Sequence, residues 1–387
     1  MIPYGRQQIL PEDIEQVVDV LTSDFITQGP KVPAFEEAIA KYCNTKHAFA
    51  VNSATSALHI ANLALGVQSG DLVWTSPISF VASSNCALYC GAKVDFVDIN
   101  KKTANICPEQ LHKKLIHAKQ NNVLPKVLIV VHMAGLSCEM ERIYQLANEF
   151  NVNVIEDASH AIGGEYQGKK IGSCQYSDMV VFSFHPVKII TTAEGGMVLT
   201  NSSKYADKLS LLRSHGITKA PEKLSENKDQ PWYYEQQSLG FNFRMTELQA
   251  ALGLSQFPRL DSFIQQRQTI AKRYQKALSS LPLTFQQQNS QSLSSYHLFI
   301  IQLTESSPIN RKTLFNRLRE AEIGVNVHYI PIHTQPYYQE MGFTLGDFPQ
   351  AESYYEQCLS LPLYPDLSEK DFNYIVDTLT TLLSQKL

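Results

Sequence analysis

The stretch VVFSFHPVKIITTAEGG, from Val180 to Gly196, joins a buried strand to polar chemistry at its end. Its first residues are apolar and β-branched, which is typical of a strand covered on both faces. Ser183, His185 and Lys188 follow within a few residues. The stretch therefore predicts that a lysine lies at the edge of a core sheet.

Segments on either side repeat the pattern of a short apolar run followed by a helical pattern. The strand-like runs are HAFAVNS, DLVWTSP, KVDFVDI, KVLIVVHMAG and VNVIEDASHA, and helical patterns such as SATSALHIANLAL and MERIYQLANEF lie between them. This order predicts an α/β fold with a mostly parallel sheet flanked by helices. Since ligands bind at the carboxyl ends of such strands, we expect the polar residues there to converge on one edge.

The remainder of the chain predicts a second, smaller unit. Residues 216–237 are polar and predict a long surface loop. A helical pattern runs from Thr246 to about Leu281, and the last third reads as an α+β region. We therefore expect a large α/β domain over residues 1–258, including the N-terminal segment, and a small C-terminal α+β domain over residues 259–387.

Composition excludes several classes of function. The chain has 387 residues and a net charge of −4, so it lacks the basic excess of a nucleic-acid or membrane-surface protein. No apolar run is long enough to span a membrane, and the N-terminal residues lack the apolar core of a signal peptide. The seven cysteines form no CxxC pair, which argues against zinc and for a reducing compartment. We expect a cytoplasmic protein.

Two further patterns carry weak signals for phosphate or metal binding. GGEYQGKK, from Gly163 to Lys170, nearly matches a Walker A loop, but Lys170 stands where a magnesium-binding Ser or Thr is needed. No helix pattern follows, so a hairpin is the favoured interpretation. His328 and His333 have no third ligand nearby in sequence, which favours a pocket wall over a metal site. We expect no metal.

Lys188 is the strongest candidate for covalent chemistry. An ordinary lysine, with a pKa of about 10.4, is almost wholly protonated at neutral pH. A lysine that reacts must lose that proton or be held as an imine, and pyridoxal 5′-phosphate (PLP) provides such an imine. PLP also needs a carboxylate for its pyridine nitrogen, donors for its phosphate and a flat group against its ring.

The strand ends supply each of these groups. The carboxylate is Asp157, the phosphate donors are the start of the helix after Asn52 together with Ser183, and the flat group is Phe80. Taken singly, Asp157 could cap a helix, Phe80 could lie in the core and Lys188 could be a surface lysine. Their occurrence together, in one order along the strand ends, favours a PLP site.

Nearly the whole chain resembles the DegT/DnrJ/EryC1/StrS sugar aminotransferases, which are PLP enzymes of fold type I, the aspartate aminotransferase fold. The resemblance lies in ITQGPKVPAFEEAIAKY, NSATSALHIA, TSPISFVASSNCALYCGAKVDFVDI, IEDASHAIGGEY, VFSFHPVKIITTAEGGMV, GFNFRMTELQAALGLSQ, HYIPIH and LSLPLYPDLSEKD. The N-terminal segment and NSATSAL look most similar to the branch that acts in pseudaminic acid biosynthesis.

The resemblance assigns roles around the cofactor. It implies that Lys188 forms the Schiff base and moves protons, that Asp157 pairs with the pyridinium nitrogen, and that His160 lies near the phenolic oxygen. The other cofactor contacts that it implies are Ala54, Thr55 and Ser183 at the phosphate and Phe80 on the ring.

The resemblance also implies a partner subunit and a sugar-nucleotide pocket. Asn242 would reach the phosphate of the neighbouring subunit's cofactor, which implies a homodimer with shared active sites. The pocket residues that it implies are Tyr4, Thr27, His328 and Tyr329. Arg244 is a candidate for the carboxylate of the amino donor.

The implied activity moves an amino group from L-glutamate to C4 of a UDP-linked 4-keto-6-deoxy-N-acetylhexosamine. Relatives with histidine in place of the lysine are PLP-dependent dehydratases, so Lys188 favours transamination. Three alternatives stay open: a 3-aminotransferase, a dehydratase acting on another nucleotide sugar, and a regulator that binds PLP without turnover.

Overall fold

The computed structural model describes residues 1–226 and 229–384. Its elements as far as the middle of the central sheet are α1 (Pro11–Leu21), α2 (Lys31–Cys43), β1 (His47–Val51), α3 (Ala54–Ala64), β2 (Leu72–Thr75), α4 (Ala82–Tyr89), β3 (Lys93–Phe96), β4 (Ile99–Asn100), β5 (Asn105–Ile106), α5 (Pro108–Gln120), β6 (Val127–Val131), α6 (Met140–Glu149) and β7 (Asn153–Asp157).

The second part of the chain completes the sheet and forms the C-terminal region. Its elements are β8 (Glu165–Tyr166), β9 (Lys169–Lys170), β10 (Met179–Ser183), β11 (Gly196–Thr200), α7 (Ser203–Leu212), β12 (Ile217–Thr218), β13 (Glu235–Gln236), α8 (Glu247–Gln256), α9 (Leu260–Ala277), β14 (Leu283–Phe285), β15 (Ser292–Leu293), β16 (Phe299–Leu303), α10 (Arg311–Glu320), α11 (Pro336–Gln339), α12 (Pro349–Gln357), β17 (Cys358–Leu361) and α13 (Glu369–Ser384).

Seven strands form the central sheet in the order β1-β11-β10-β7-β6-β2-β3. The five strands from β10 to β3 pair in parallel, while β11 is antiparallel to both of its neighbours. Every residue of β6 and β10 is buried, as expected for strands that are covered on both faces. The predicted α/β fold with a mostly parallel sheet is confirmed.

Helices cover both faces of this sheet. Val127 and Ile129 of β6 pack in a cluster with residues of α3 and α4. Leu128 and Val130, which point to the opposite face because side chains alternate along a strand, pack with residues of α5 and α6. The sheet is thus fixed from both sides, and its carboxyl edge is left for polar residues.

A separate hydrophobic cluster forms around the three-stranded sheet β14-β16-β17 and helices α9, α10 and α13. The N-terminal residues join this C-terminal cluster. Ile2 packs against it and pairs with Ile323, and Leu363 N donates to Tyr4 O at 3.1 Å. The division into domains at residues 258 and 259 stays a proposal.

Three local predictions can be compared with the structure. The helical pattern from Thr246 is interrupted by a 3-10 turn, Phe257–Arg259, because Pro258 lacks the N–H that a continuous helix would use. The Walker-like segment forms the predicted hairpin, β8 with β9. The polar stretch 216–237 is tied at its ends by the pairing of β12 with β13, and residues 227 and 228 lie outside the described residues.

No helix within residues 1–226 and 229–384 has both the length and the apolar character needed to cross a membrane.

Candidate active site

A cavity of about 470 Å³ opens where the central strands end. Residues at or just after the carboxyl ends of β1, β2, β6, β7 and β10 contribute to its wall. Ten of the predicted site residues line it: Tyr4, Ala54, Thr55, Phe80, Asp157, His160, Ser183, Lys188, His328 and Tyr329. The expected convergence of polar residues on one edge is therefore observed.

Lys188 lies in the connection between β10 and β11. This connection is fixed at its base, since Phe184 N donates to Gly195 O and Thr192 N donates to Phe184 O, both at 2.9 Å. Burial lowers the pKa of Lys188 from 10.5 to about 8, and the charge of Asp157 opposes the shift. A large fraction of this amine is neutral near pH 8, as a nucleophile or proton acceptor requires.

Asp157 ends β7 and is only 5% exposed. Ser83 Oγ donates to its Oδ2 at 2.6 Å, and Ser159 Oγ donates to its Oδ1 at 2.6 Å. The hydroxyl of Ser79 lies 2.6 Å from that of Ser83 and completes the network. The carboxylate is thus held in one orientation at the cavity wall by groups that sequence reasoning did not identify.

Helix α3 begins at the cavity. Ser53 caps it by accepting a hydrogen bond from Ser56 N at 3.1 Å. The N–H groups of the first turn of a helix have no partner within the helix, so those of Ala54 and Thr55 suit an anion. Gly196 makes room for this turn: a Cβ there would lie 2.5 Å from Ala54 N and 2.6 Å from Ser53 O.

Three buried imidazoles and a tyrosine also line the cavity. His160 Nε2 lies 3.2 Å from Tyr329 Oη, and Ala134 N donates to His160 Nδ1 at 3.3 Å. His328 Nδ1 lies 2.7 Å from Ser360 Oγ. Burial, with the charge of Lys188, lowers the pKa of His328 to about 3 and that of His160 well below its usual range.

His297 is a cavity residue that sequence reasoning missed. Its ring centroid lies 4.5 Å from that of His160, and burial lowers its pKa well below the usual range. Its backbone is held by Arg267, which is fully buried and donates to the carbonyls of His297 and Leu363 at 3.2 and 2.9 Å. His297 follows none of the parallel strands of the central sheet, so the strand-end pattern carried no signal for it.

The aromatic ring of Phe80 lies at the mouth of this cavity. It is 60% exposed, and its centroid is 6.4 Å from that of Tyr329. An exposed ring at this position can stack on a flat ligand. The cavity therefore combines a lysine of lowered pKa, an oriented carboxylate, a helix N-terminus and an aromatic face.

Residues 7–380 match the sequence profile of the DegT/DnrJ/EryC1/StrS aminotransferase family. The chain belongs to that family. It is also similar to the UDP-4-amino-4,6-dideoxy-N-acetyl-β-L-altrosamine transaminase of Campylobacter jejuni, with 38% identity over 388 residues, covering 100% of this chain and 98% of the relative.

Solved structures of aminotransferases share the fold over their whole length. Helicobacter pylori PseC, an aminotransferase of pseudaminic acid biosynthesis, is 34% identical, with a TM-score of 0.90 and coverage of 99% of both chains. Spr1654 of Streptococcus pneumoniae, solved in a PLP form, is 29% identical, with a TM-score of 0.89 and coverage of 100% of this chain and 99% of that one. The present chain is a PLP-dependent sugar aminotransferase of fold type I.

The cavity fits the PLP used by this aminotransferase family. Lys188 supplies the amine and Asp157 the carboxylate, while the start of α3 supplies N–H donors beside Ser183. The close approach of Gly196 to Ser53 and Ala54 makes a cradle that a side chain would fill. A phosphate with two negative charges needs such a cradle of backbone donors.

Two of the residues expected from the aminotransferase resemblance lie elsewhere. Thr27 is exposed and pairs with Thr246, so the structure does not bring it to this cavity. Its segment is held against the start of α8 instead, where Glu247 N donates to Ile26 O. Asn242 is also exposed and pairs with Ser214, and its expected contact with a neighbouring subunit stays a proposal.

The remaining sequence candidates have structural partners. Arg244 donates to Ser214 Oγ at 3.0 Å and is not among the lining residues of the aminotransferase cavity. His333 Nε2 lies 2.9 Å from Glu352 Oε1, so it is paired within the protein. Throughout residues 1–226 and 229–384, no three His, Cys, Asp or Glu residues are grouped so that they could hold a metal ion.

Proposed function

We propose that the protein transfers the amino group of L-glutamate to C4 of a UDP-linked 4-keto-6-deoxy-N-acetylhexosamine, in the biosynthesis of pseudaminic acid. The observation that carries this proposal is the meeting of Lys188, Asp157 and the start of α3 in one cavity. The 38% identity to the altrosamine transaminase over the whole chain supports the choice of sugar.

The cofactor supplies an electron sink that stabilises negative charge on the carbon beside the nitrogen. Asp157, held by Ser83 and Ser159, would pair with the pyridine nitrogen of bound PLP and keep it protonated. Lys188 Nζ would accept and return the proton that the transfer moves, which its lowered pKa of about 8 favours.

Ala54, Thr55 and Ser183 would hold the phosphate, and Phe80 would stack on the cofactor ring. Tyr4, His328 and Tyr329 would contact the sugar nucleotide. His160, which lies beside Tyr329, would act near the phenolic oxygen of the cofactor, directly or through a neighbour. Binding at several points fixes the reacting carbon next to Lys188, which supplies the orientation that transfer requires.

A homodimer with shared active sites is part of the proposal. Asn242 is exposed on the segment 241–243 and is thereby accessible to a second copy of the chain. A cytoplasmic location is proposed because all seven cysteines are free thiols, five of them buried.

The proposal is tested by the absorbance spectrum of the purified protein before and after L-glutamate. We expect a visible band that is lost when the cofactor accepts the amino group. A panel of 3-keto and 4-keto sugar nucleotides then identifies the acceptor, with product analysis separating 4-amination from 3-amination and dehydration. A visible band that does not change with any amino donor would contradict aminotransferase activity and favour a regulator that binds PLP without turnover.

A further inference from the structure

The hydrogen bonds around His160 determine where its proton lies. Ala134 N is a backbone amide and can only donate, and it points at His160 Nδ1 at 3.3 Å. Nδ1 must therefore be the bare, accepting nitrogen of the ring. A neutral imidazole carries one proton, which leaves Nε2 as the protonated position.

The surroundings of His160 keep this ring neutral. It is 6% exposed, and burial together with the charges of Lys188 and His328 lowers its pKa well below the usual range. The neighbouring ring is His297, with 4.5 Å between the ring centroids, and it brings no negative charge that would favour a second proton on His160. A second proton on His160 would also face the Ala134 amide, where it would find a donor instead of an acceptor.

The next group in the sequence of hydrogen bonds is Tyr329. His160 Nε2 lies 3.2 Å from Tyr329 Oη, and since Nε2 carries the proton, the tyrosine oxygen accepts this bond. Burial raises the pKa of Tyr329, so the phenol keeps its own proton. The Tyr329 hydroxyl does not donate to His160, and no other hydrogen-bond acceptor lies within reach of its oxygen in the described part of the chain.

We infer that Ala134, His160 and Tyr329 form a one-directional relay of hydrogen bonds that fixes the Tyr329 hydroxyl as a donor into the cavity. The acceptor is an oxygen atom of what the cavity binds, either on the cofactor ring or on the sugar. His160 is then a positioning residue that acts through Tyr329, both of its ring nitrogens being used within the protein. This inference rests on the proposed function and adds a role within it.

The backbone that starts the relay is held in an uncommon conformation. Ala134 has φ 60° and ψ 6°, in the left-handed region that non-glycine residues seldom adopt. Its neighbour Gly135 packs so closely that a Cβ would lie 2.9 Å from His160 O and 2.2 Å from Ser295 Oγ. Ser295 Oγ in turn donates to His160 O at 2.8 Å, so the amide and the imidazole are fixed relative to each other.

The tautomer is tested directly by NMR. The holoenzyme, labelled with nitrogen-15 in its histidines, is examined at neutral pH by long-range proton–nitrogen correlation, and the signals of His160 are identified by their loss in His160→Gln. We expect one proton, on Nε2. A proton on Nδ1, or on both nitrogens, would overturn the relay whatever the enzyme's activity.

The role of the hydroxyl is tested with Tyr329→Phe, which removes one oxygen and keeps the ring. We expect one of two half-reactions to slow by about 10- to 100-fold, because one hydrogen bond to the bound molecule is lost. A shifted visible absorbance and a slower reaction with L-glutamate identify the cofactor oxygen as acceptor. An unchanged absorbance with a slower reaction toward the keto sugar identifies the sugar oxygen.

Two further sets of variants complete the test. Tyr337→Phe removes the same atom from a side chain that is 58% exposed and lies outside the cavity lining, and it should leave both rates unchanged. His160→Leu should slow the same half-reaction as Tyr329→Phe, His160→Gln should restore most of it, and combining His160→Leu with Tyr329→Phe should add little. If Tyr329→Phe carries out both half-reactions within twofold of the wild-type rates, the relay is refuted while the proposed function stands. Failure of the wild-type protein to react would refute the proposed function alone.

Discussion

Replacing Gly196 by alanine tests the phosphate cradle at a single atom. The added Cβ would lie 2.5 Å from Ala54 N and 2.6 Å from Ser53 C and O, where ordinary contact begins at 3.4 Å. β11 is held between β1 and β10, so the first turn of α3 must give way. Restoring ordinary contact moves Ala54 N by about 0.9 Å.

This displacement sets the expected magnitude. A hydrogen bond to a charged group contributes about 1.5–3 kcal/mol, and a shift of nearly 1 Å removes most of one such bond. Since about 1.4 kcal/mol corresponds to a tenfold change in affinity, we expect phosphate-dependent binding to weaken by about 10- to 100-fold.

The assay is titration of the apoprotein with pyridoxamine 5′-phosphate, which has the phosphate but no aldehyde to react with Lys188. Gly253→Ala is the matched control, because its Cβ would meet Phe35 and Thr192 at 2.7–2.8 Å without touching Ser53 or Ala54. Both variants should lose thermal stability, but only Gly196→Ala should lose affinity, and the loss should vanish with pyridoxamine. A dissociation constant within twofold of wild type would refute the cradle.

Four other outcomes are expected. Lys188→Ala should abolish turnover and the visible absorbance of the holoenzyme, and an unchanged spectrum would contradict its assignment. Asp157→Ala should retain some cofactor but lose at least about 100-fold in turnover, measured with L-glutamate, whereas full activity would remove it from the site. In the apoprotein, acylation of Lys188 followed by mass spectrometry should have its midpoint near pH 8 instead of 10.5. An acylation midpoint near pH 10.5 would contradict the burial of Lys188. The unfolded chain keeps this proton up to the higher pH, so Lys188 should make the free energy of unfolding rise between pH 8 and 10.5. Arg267→Met should lower the free energy of unfolding by about 2–4 kcal/mol in a urea titration, because three carbonyl groups lose their donor. Arg273→Met on the same helix breaks an exposed ion pair with Glu369 and a cation–π contact with Phe372, and it should cost only about 1 kcal/mol. Equal losses in the two variants would contradict the reasoning.

The residues that could be predicted from the sequence share one physical property. Asp157, Ser183 and Lys188 each follow an apolar strand, and parallel strands bring their carboxyl ends to one edge without further information. A local pattern was therefore enough to place them near one another. The same reasoning applies to Ala54 and Thr55, since a helix must begin close to where its strand ends.

Contacts between distant segments carry no such pattern. His297 reaches the cavity because Arg267 on α9 binds the backbone around it, and neither residue has a local signal. Ser83 lies among other small residues of α4, and no pattern distinguishes it from them. Its hydrogen bond to Asp157 depends on how α4 packs on the sheet. The position of Thr27 depends on a distant contact in the same way, since its segment pairs with Thr246.

The segment of Tyr4 has a consequence for the order of folding. Tyr4 lines the cavity, yet its segment is held by Gly324 N, which donates to Ile2 O, and by Leu363 N, which donates to Tyr4 O. Both donors belong to the C-terminal region, far along the chain from Tyr4. Because contacts between such distant residues require the closure of a long loop, Tyr4 reaches the cavity wall only once the C-terminal region has folded around it.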